Sequence, residues 1–230
     1  MSSSQYLHSG MEQPGVLTGP ITRRSCGSNP TPAISQMVKR VIIVHGWEGS
    51  PNEPIHQWLK KELVNRGIKV ISPFMPDTMH PKINDWVNHL SKEVDQADPN
   101  TFFFGHSIGC QTIMRYLETL NEDQKVGGAV FLSGWFNLDN MESKNEKEIA
   151  KPWIKNPINF NRIKKVCNKI EVIISDDEPY GYVNENAERF KKELNANITI
   201  EHGKGHFTAN EGITQIPEAL ERIMKLVNSK

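Results

Sequence analysis

The sequence predicts an α/β fold, in which a compact, mostly parallel central sheet has helices on both faces. Two observations support this class. Short apolar runs recur along the chain, and most are followed by apolar residues at helical spacing. Strands of a parallel sheet have this continuous apolar character because helices cover both faces. The regular alternation of the two patterns is typical of such a layered sheet.

The N-terminal half contains three predicted strand and helix pairs. Strands are predicted over residues 41–44, 68–71 and 101–104. A helix follows each strand, because apolar residues recur there at intervals of three and four. The apolar positions of these helices are Ile55, Trp58, Leu59 and Leu63, then Ile83, Trp86, Val87, Leu90 and Val94, then Ile113, Tyr116, Leu117 and Leu120. The third of these helices is predicted over residues 108–120.

The C-terminal half continues the alternation after an interruption. The predicted strands cover residues 126–132, 170–174 and 198–200, and the predicted helices cover 187–194 and 217–227. The polar segment over residues 135–167 breaks this alternation and contains two prolines. We expect it to cap the carboxyl edge of the sheet, where ligands bind in such folds. Its candidate apolar lining residues are Trp135, Phe136 and Trp153.

Composition excludes several classes of function. Lys and Arg together number 27, as do Asp and Glu, so charge gives no reason to expect nucleic acid or an anionic membrane as partner. No apolar run approaches the roughly 18 residues that a membrane span requires. Three widely spaced cysteines form neither a disulfide framework nor a metal knuckle, which favours a reducing, cytoplasmic location. We expect a monomer or small homo-oligomer that acts on a small molecule.

The chain divides into two regions by composition. Residues 1–38 are rich in Ser, Gly, Pro and Thr and have no apolar periodicity, which predicts a flexible N-terminal extension. A mitochondrial transit peptide is the alternative for this segment, because it contains Ser and Arg and only one acidic residue, Glu12. Residues 39–230 are the predicted folded domain.

Residues 105–109, GHSIG, fit the pattern G-x-S-x-G and lie between a predicted strand and a predicted helix. This is the setting of a nucleophile elbow, a sharp turn that exposes a reactive serine, here Ser107. The backbone N–H of Ile108 would then face a developing oxyanion at the start of the helix. Trp47, which follows the first strand, could supply a second N–H donor. The alternative is an ordinary glycine-rich turn with an inert serine.

A nucleophilic serine needs a base and an orienting acid, which in this arrangement follow it in the order acid, then histidine. Residues 176–178, DDE, follow one late strand, and residues 205–207, GHF, follow the last. His206 is favoured over His202 as the base because its loop position lets it reach the serine. These two histidines lie in a glycine-rich loop without a complete metal-ligand set. His106 is interpreted as a packing or gating residue.

With these residues in place, the chain resembles the small serine hydrolases grouped around retinoblastoma-binding protein nine and their YdeN-like bacterial relatives. The resemblance covers roughly residues 38–227. It rests on VIIVHGWEGSP, MPD, GHSIGC followed by MRYLE, LSGW, the acidic cluster before a proline, and GHF. It implies an α/β-hydrolase domain over residues 39–230 with a Ser-His-acid triad that hydrolyses a small ester or amide. Ser107 and His206 match the family motifs directly.

The identity of the acid stays open at this stage. In the family the catalytic Asp stands one residue before the proline, a position that Glu178 occupies here. A shift of one residue would use Asp177 instead, and we favour Glu178. The family name also evokes retinoblastoma binding through L-x-C-x-E, but none of the cysteines lies in that motif.

The sequence therefore predicts a serine hydrolase of carboxylesterase or acyl-hydrolase type that works through an acyl-enzyme. We expect it to need neither a metal nor an organic cofactor. Two alternatives remain. One is a catalytically idle hydrolase fold that serves as an interaction module, and the other is transfer of the acyl group to an acceptor other than water.

Overall fold

The computed structural model describes residues 38–229. The predicted N-terminal extension and its transit-peptide alternative therefore lie outside the described residues, except for residue 38. The strands of the described part are β1 (Arg40–Val44), β2 (Lys69–Ile71), β3 (Thr101–His106), β4 (Gly128–Leu132), β5 (Ile170–Ser175) and β6 (Asn197–Glu201). They form one sheet in the order β2-β1-β3-β4-β5-β6, and every neighbouring pair is parallel.

Helices follow the strands and cover both faces of the sheet. They are α1 (Pro54–Val64), α2 (Ile83–Val94), α3 (Ile108–Leu117), α4 (Lys144–Lys155), α5 (Phe160–Val166), α6 (Val183–Leu194) and α7 (Pro217–Asn228), with a short 3₁₀ helix at Ala209–Glu211. None of the helices within residues 38–229 combines the length and the apolar character that crossing a membrane would require.

Successive residues of the central strands belong to two separate cores. On β3, Phe103 belongs to the core that includes residues of α2, α3, α5 and α6, whereas its neighbours Phe102 and Phe104 belong to the core that includes residues of α1 and α7. Side chains alternate between the two faces of a strand, so the continuous apolar run feeds both cores. The predicted α/β class with helices on both faces is confirmed, and the sheet is parallel throughout rather than mostly parallel.

The segment after β4 differs from the prediction because it contains two helices. Helix α4 begins at a capping box in which Ser143 and Glu146 satisfy each other's backbone N–H groups. Along α4 only Ala150 and Trp153 are buried, so its apolar face is too narrow to produce a recognisable period. The buried Arg115 fastens the end of this helix, since its Nη2 donates to the backbone oxygens of Trp153 and Asn156, each at 3.0 Å.

Some element boundaries also shift. Strand β3 continues to His106, which pairs with Leu132 of β4, so the strand runs to the residue before the elbow serine. Helix α3 ends at Leu117 rather than residue 120, and helix α6 begins at Val183 rather than residue 187. Ends of helices carry the weakest periodic signal, because few of their residues face the core.

Candidate active site

Ser107 occupies a strained turn between β3 and α3. Its φ of 55° and ψ of −121° lie in a region that residues with a side chain rarely adopt. The flanking glycines make the turn possible. A Cβ on Gly109 would lie 2.3 Å from the backbone oxygen of Val44, and one on Gly105 would lie 2.8 Å from the backbone nitrogen of Cys110. The two glycines of the G-x-S-x-G pattern are therefore required by backbone packing on both sides of the serine.

His206 and Glu178 form a close pair at the carboxyl edge of the sheet. Nδ1 of His206 lies 2.7 Å from Oε1 of Glu178, and their side chains are only 12% and 8% exposed. An ionised carboxylate only accepts hydrogen bonds, so Nδ1 donates and Nε2 is left with a free lone pair. The ring of Tyr180 meets the imidazole edge to face, with the ring centroids 4.9 Å apart. This arrangement fixes both the tautomer and the orientation of His206.

Asp177, the other candidate acid, has different partners. Its Oδ1 accepts hydrogen bonds from Oγ of Ser175 at 2.5 Å and from the backbone N–H of Gly205 at 2.8 Å. These two bonds, the first being the stronger influence, lower the pKa of the Asp177 carboxyl below its usual value. Asp177 thus holds the loop that carries His206, while Glu178 contacts the imidazole itself.

His202 lies outside this arrangement. Its side chain is 86% exposed, and its Nδ1 lies 2.6 Å from Oδ2 of Asp176. That hydrogen bond raises the pKa of His202 above its usual value. The two histidines of the loop therefore pair with two different carboxylates, and His206 is the one that lines the same cavity as Ser107.

The cavity has a volume of about 470 Å³ and brings together Ser107, His206, Ile108, Trp47 and Trp135. Among the described residues no hydrogen bond joins Ser107 to His206. Oγ of Ser107 instead accepts a long hydrogen bond from the indole Nε1 of Trp135, at 3.4 Å. Hydrogen bonds between catalytic groups are often long or absent without substrate, so this geometry is compatible with a nucleophile and base pair.

The two predicted oxyanion donors also lie at this cavity. Within residues 38–229 the backbone N–H groups of Trp47 and Ile108 donate to no other group. A Cβ on Gly46 would lie 3.5 Å from Cβ of Ser107, which places the turn before Trp47 beside the serine. His45 holds that turn, because its Nδ1 bonds the oxygen of Gly46 at 2.9 Å and its Nε2 accepts from the N–H of Met75 at 3.1 Å.

Two of the three aromatic residues that were expected to line the pocket lie elsewhere. Trp135 lines the cavity, but Phe136 is buried against Phe190, with their ring centroids 4.4 Å apart. Trp153 packs edge to face on Trp86, and its indole N–H donates to the oxygen of Pro81 at 3.0 Å. Both are core residues, because Phe136 packs against α6 and Trp153 packs against α2.

Sequence reasoning missed the contact that His106 makes. Its Nε2 lies 2.8 Å from the backbone oxygen of His206, so the residue before the serine is joined to the residue proposed as base. Burial, followed by the nearby His206, keeps the pKa of His106 well below its usual value. No sequence signal indicates this bond, because its partners lie 100 positions apart. The hydrogen bond of Trp135 to Ser107 was also missed, although the LSGW motif marks that residue.

Comparisons with known proteins identify the family. A model of the serine hydrolase family matches residues 41–225. YdeN of Bacillus subtilis strain 168 is 29% identical over 185 residues, which are 79% of this chain and 92% of YdeN. The serine hydrolase RBBP9 of Rattus norvegicus is 26% identical over 171 residues, 74% of this chain and 82% of RBBP9.

Solved structures share the fold. The crystal structure of the B. subtilis ydeN gene product superposes with a TM-score of 0.76 at 24% identity. The match covers 84% of this chain and 100% of that chain. Est1E of Butyrivibrio proteoclasticus superposes with a TM-score of 0.63 at 13% identity, covering 83% of this chain and 90% of Est1E. The layered α/β fold is therefore common to these proteins.

Proposed function

This chain belongs to the serine hydrolase family, and we propose that it cleaves a small carboxylic ester or amide with Ser107, His206 and Glu178. The observation that carries the proposal is the pairing of His206 with Glu178 at the cavity that also contains Ser107. Ser107 sits at an elbow, a buried carboxylate orients the imidazole, and the free Nε2 of that imidazole can accept a proton.

In the proposed reaction, Oγ of Ser107 attacks the acyl carbon while Nε2 of His206 removes the hydroxyl proton. The N–H groups of Ile108 and Trp47 receive the oxyanion of the tetrahedral intermediate. The intermediate collapses to an acyl-enzyme, and the leaving alcohol or amine takes the proton from His206. Water then repeats the sequence and releases the acid. None of these steps requires a metal or an organic cofactor.

Glu178 acts through the imidazole in this scheme. Its carboxylate keeps the Nδ1 proton in place and stabilises the imidazolium that forms during attack. In this scheme substrate binding brings Nε2 of His206 to Oγ of Ser107, a bond that is not made within the described residues. Until then the indole N–H of Trp135 contacts the serine oxygen.

A fluorophosphonate probe tests the proposal, because it forms a covalent bond only with an activated serine. We expect labelling of the wild type and none of Ser107→Ala. Ser133→Ala is a matched control, since Ser133 is also buried, follows a strand and has a positive φ of 46°. This variant should still be labelled. A folded wild type that does not react would contradict the proposal and favour an idle interaction module.

Chromogenic esters and amino-acid amides of graded chain length then define the substrate. Hydrolysis should be lost in Ser107→Ala for every member of the panel. Product analysis with added alcohols or amines distinguishes hydrolysis from acyl transfer. Predominant transfer to these acceptors would show that the same residues serve a transferase.

A further inference from the structure

Three side chains next to the elbow have no part in the proposed mechanism. They are Glu53, His56 and His106, and one metal-binding atom of each lies within 4.8 Å of the others. His56 and His106 are buried, whereas Glu53 is partly exposed. Glu53 and His106 line the same cavity as Ser107, so the cluster borders the proposed active site.

Each of the two histidines has one nitrogen bonded and the other free. Nε2 of His106 bonds the oxygen of His206 at 2.8 Å. Nδ1 of His56 bonds the oxygen of Ser50 at 3.1 Å and lies equally close, 3.1 Å, to Oε2 of Glu53. A backbone oxygen only accepts, so these nitrogens carry the protons and the opposite ones have lone pairs. Those opposite atoms, Nδ1 of His106 and Nε2 of His56, are buried without a partner among the described residues.

This pattern is the one that metal-binding histidines adopt. The second ring N–H of such a ligand usually donates to a backbone oxygen or a carboxylate, which fixes the tautomer and leaves the other nitrogen for the metal.

We propose that Glu53, His56 and His106 bind one divalent transition-metal ion, with Zn²⁺ as the best match, and that this ion inhibits the hydrolase. Two imidazole nitrogens and one carboxylate oxygen, with a further position open to the cavity, are a ligand set that zinc accepts. Mg²⁺ and Ca²⁺ prefer oxygen ligands and should bind far more weakly.

The geometry is close to what a zinc ion needs. Ligand atoms around tetrahedral zinc lie about 3.3 Å apart, and one ligand atom of each of these residues lies within 4.8 Å of the others. To bind the same ion as the free nitrogen of His56, the carboxylate of Glu53 would have to turn away from Nδ1 of that ring. Gly49 lets this carboxylate lie against the backbone, since an added Cβ would lie 2.7 Å from its Oε1. The ligands are separated by three residues and then by fifty, so no linear motif reveals the site.

Inhibition of the hydrolase would follow from the position of the ion beside Ser107. His106 directly precedes Ser107 in the chain, and an ion held by His106 and Glu53 would occupy space that the acyl group needs. This second part of the inference rests on the proposed hydrolase function, whereas metal binding does not.

A titration of the full-length chain against a chromophoric chelator measures binding, with Zn²⁺ and Mg²⁺ in separate arms. We expect the wild type to bind one Zn²⁺ saturably, and the affinity to fall at least about tenfold in Glu53→Gln and in His56→Asn. The matched control is His89→Asn, which removes a histidine that lies 3.8 Å from Glu93 on α2. It should bind as the wild type does.

Several outcomes would overturn the site. These are no saturable Zn²⁺ binding, binding unchanged in both cluster variants, equal loss in His89→Asn, or equal affinity for Mg²⁺. Circular dichroism establishes that each variant is folded. Should His56→Asn fail to fold, Glu53→Gln decides the question, because this carboxylate is partly exposed and the substitution preserves its shape.

The rate of fluorophosphonate labelling tests inhibition. Saturating Zn²⁺ should slow labelling of the wild type at least about tenfold, a chelator should restore it, and Glu53→Gln should respond far less. Binding without slower labelling would overturn the inhibition and leave the metal site. A wild type that is never labelled, even without Zn²⁺, would instead refute the proposed function, and the titration would still decide the metal site.

Discussion

Nδ1 of His206 lies 2.7 Å from Oε1 of Glu178, the acidic residue that directly follows Asp177 in the chain. Asp177 instead bonds Ser175 and the backbone of Gly205. Two neighbouring carboxylates thus have separate tasks. One contacts the imidazole, and the other holds the loop in which the imidazole lies.

This separation predicts unequal effects of removing the two charges. Glu178→Gln should lower kcat by about 10³-fold to 10⁴-fold, because an amide does not hold the Nδ1–H tautomer of His206 as a carboxylate does. Asp177→Asn should lower kcat by less than about tenfold, since it disturbs only the loop. Steady-state hydrolysis of one chromogenic ester compares them. Equal losses, or a larger loss in Asp177→Asn, would contradict the proposed acid.

The two histidines of the last loop should also differ. His206→Asn should reduce fluorophosphonate labelling by at least about 10³-fold, because Ser107 loses its base. His202→Asn should react at close to the wild-type rate, since His202 is exposed and pairs with Asp176. The comparison uses the same probe and equal protein concentrations. A greater loss in His202→Asn would mean that the base had been misidentified.

The lowered pKa of Asp177 predicts a pH-dependent contribution to stability. A carboxyl whose pKa is lower in the folded state stabilises the fold above its unfolded value of about 3.9. The contribution is lost as the pH falls through the folded-state pKa. The difference in free energy of unfolding between wild type and Asp177→Asn should therefore shrink below about pH 4. Urea unfolding at several pH values measures it, and a difference that widens on acidification would refute the prediction.

Gly109 should tolerate substitution far less than a glycine in open space. Gly109→Ala should lower the free energy of unfolding by about 3 kcal/mol or more, because its Cβ would meet the backbone oxygen of Val44 at 2.3 Å. Gly67→Ala is the matched control. Its added Cβ meets nothing within 4 Å, so only the positive φ of 76° costs energy, about 1 kcal/mol. Similar losses in urea unfolding would show that the contact relaxes.

The sequence predicted the sheet well because its strands are continuous apolar runs whose only stable place is between two helical layers. It did not predict α4, which is stabilised by a capping box and by only two buried side chains. The elbow could be located because its glycines lie two residues before and two residues after the serine in the chain. The register before the proline favoured Glu178 as the acid, but the hydrogen bonds of Asp177 to Ser175 and Gly205 could not be predicted, because they depend on loop geometry.

The cluster of Glu53, His56 and His106 could be predicted from the sequence even less than the contacts of the two carboxylates. Two of its members lie on or just before α1, and the third ends β3. Nothing in the spacing of residues 53, 56 and 106 distinguishes them from ordinary surface positions. Only the pairing of β1 with β3 brings these segments together.

The strand order has a consequence for refolding. Ser107, Glu178 and His206 follow β3, β5 and β6, and β4 lies between the first two of these strands. The proposed site therefore cannot assemble from local contacts, and it requires pairings that close long loops, which form slowly. We expect reactivity toward the probe to return after dilution from denaturant later than helical circular dichroism does, so that the rate of labelling reports the completion of the sheet.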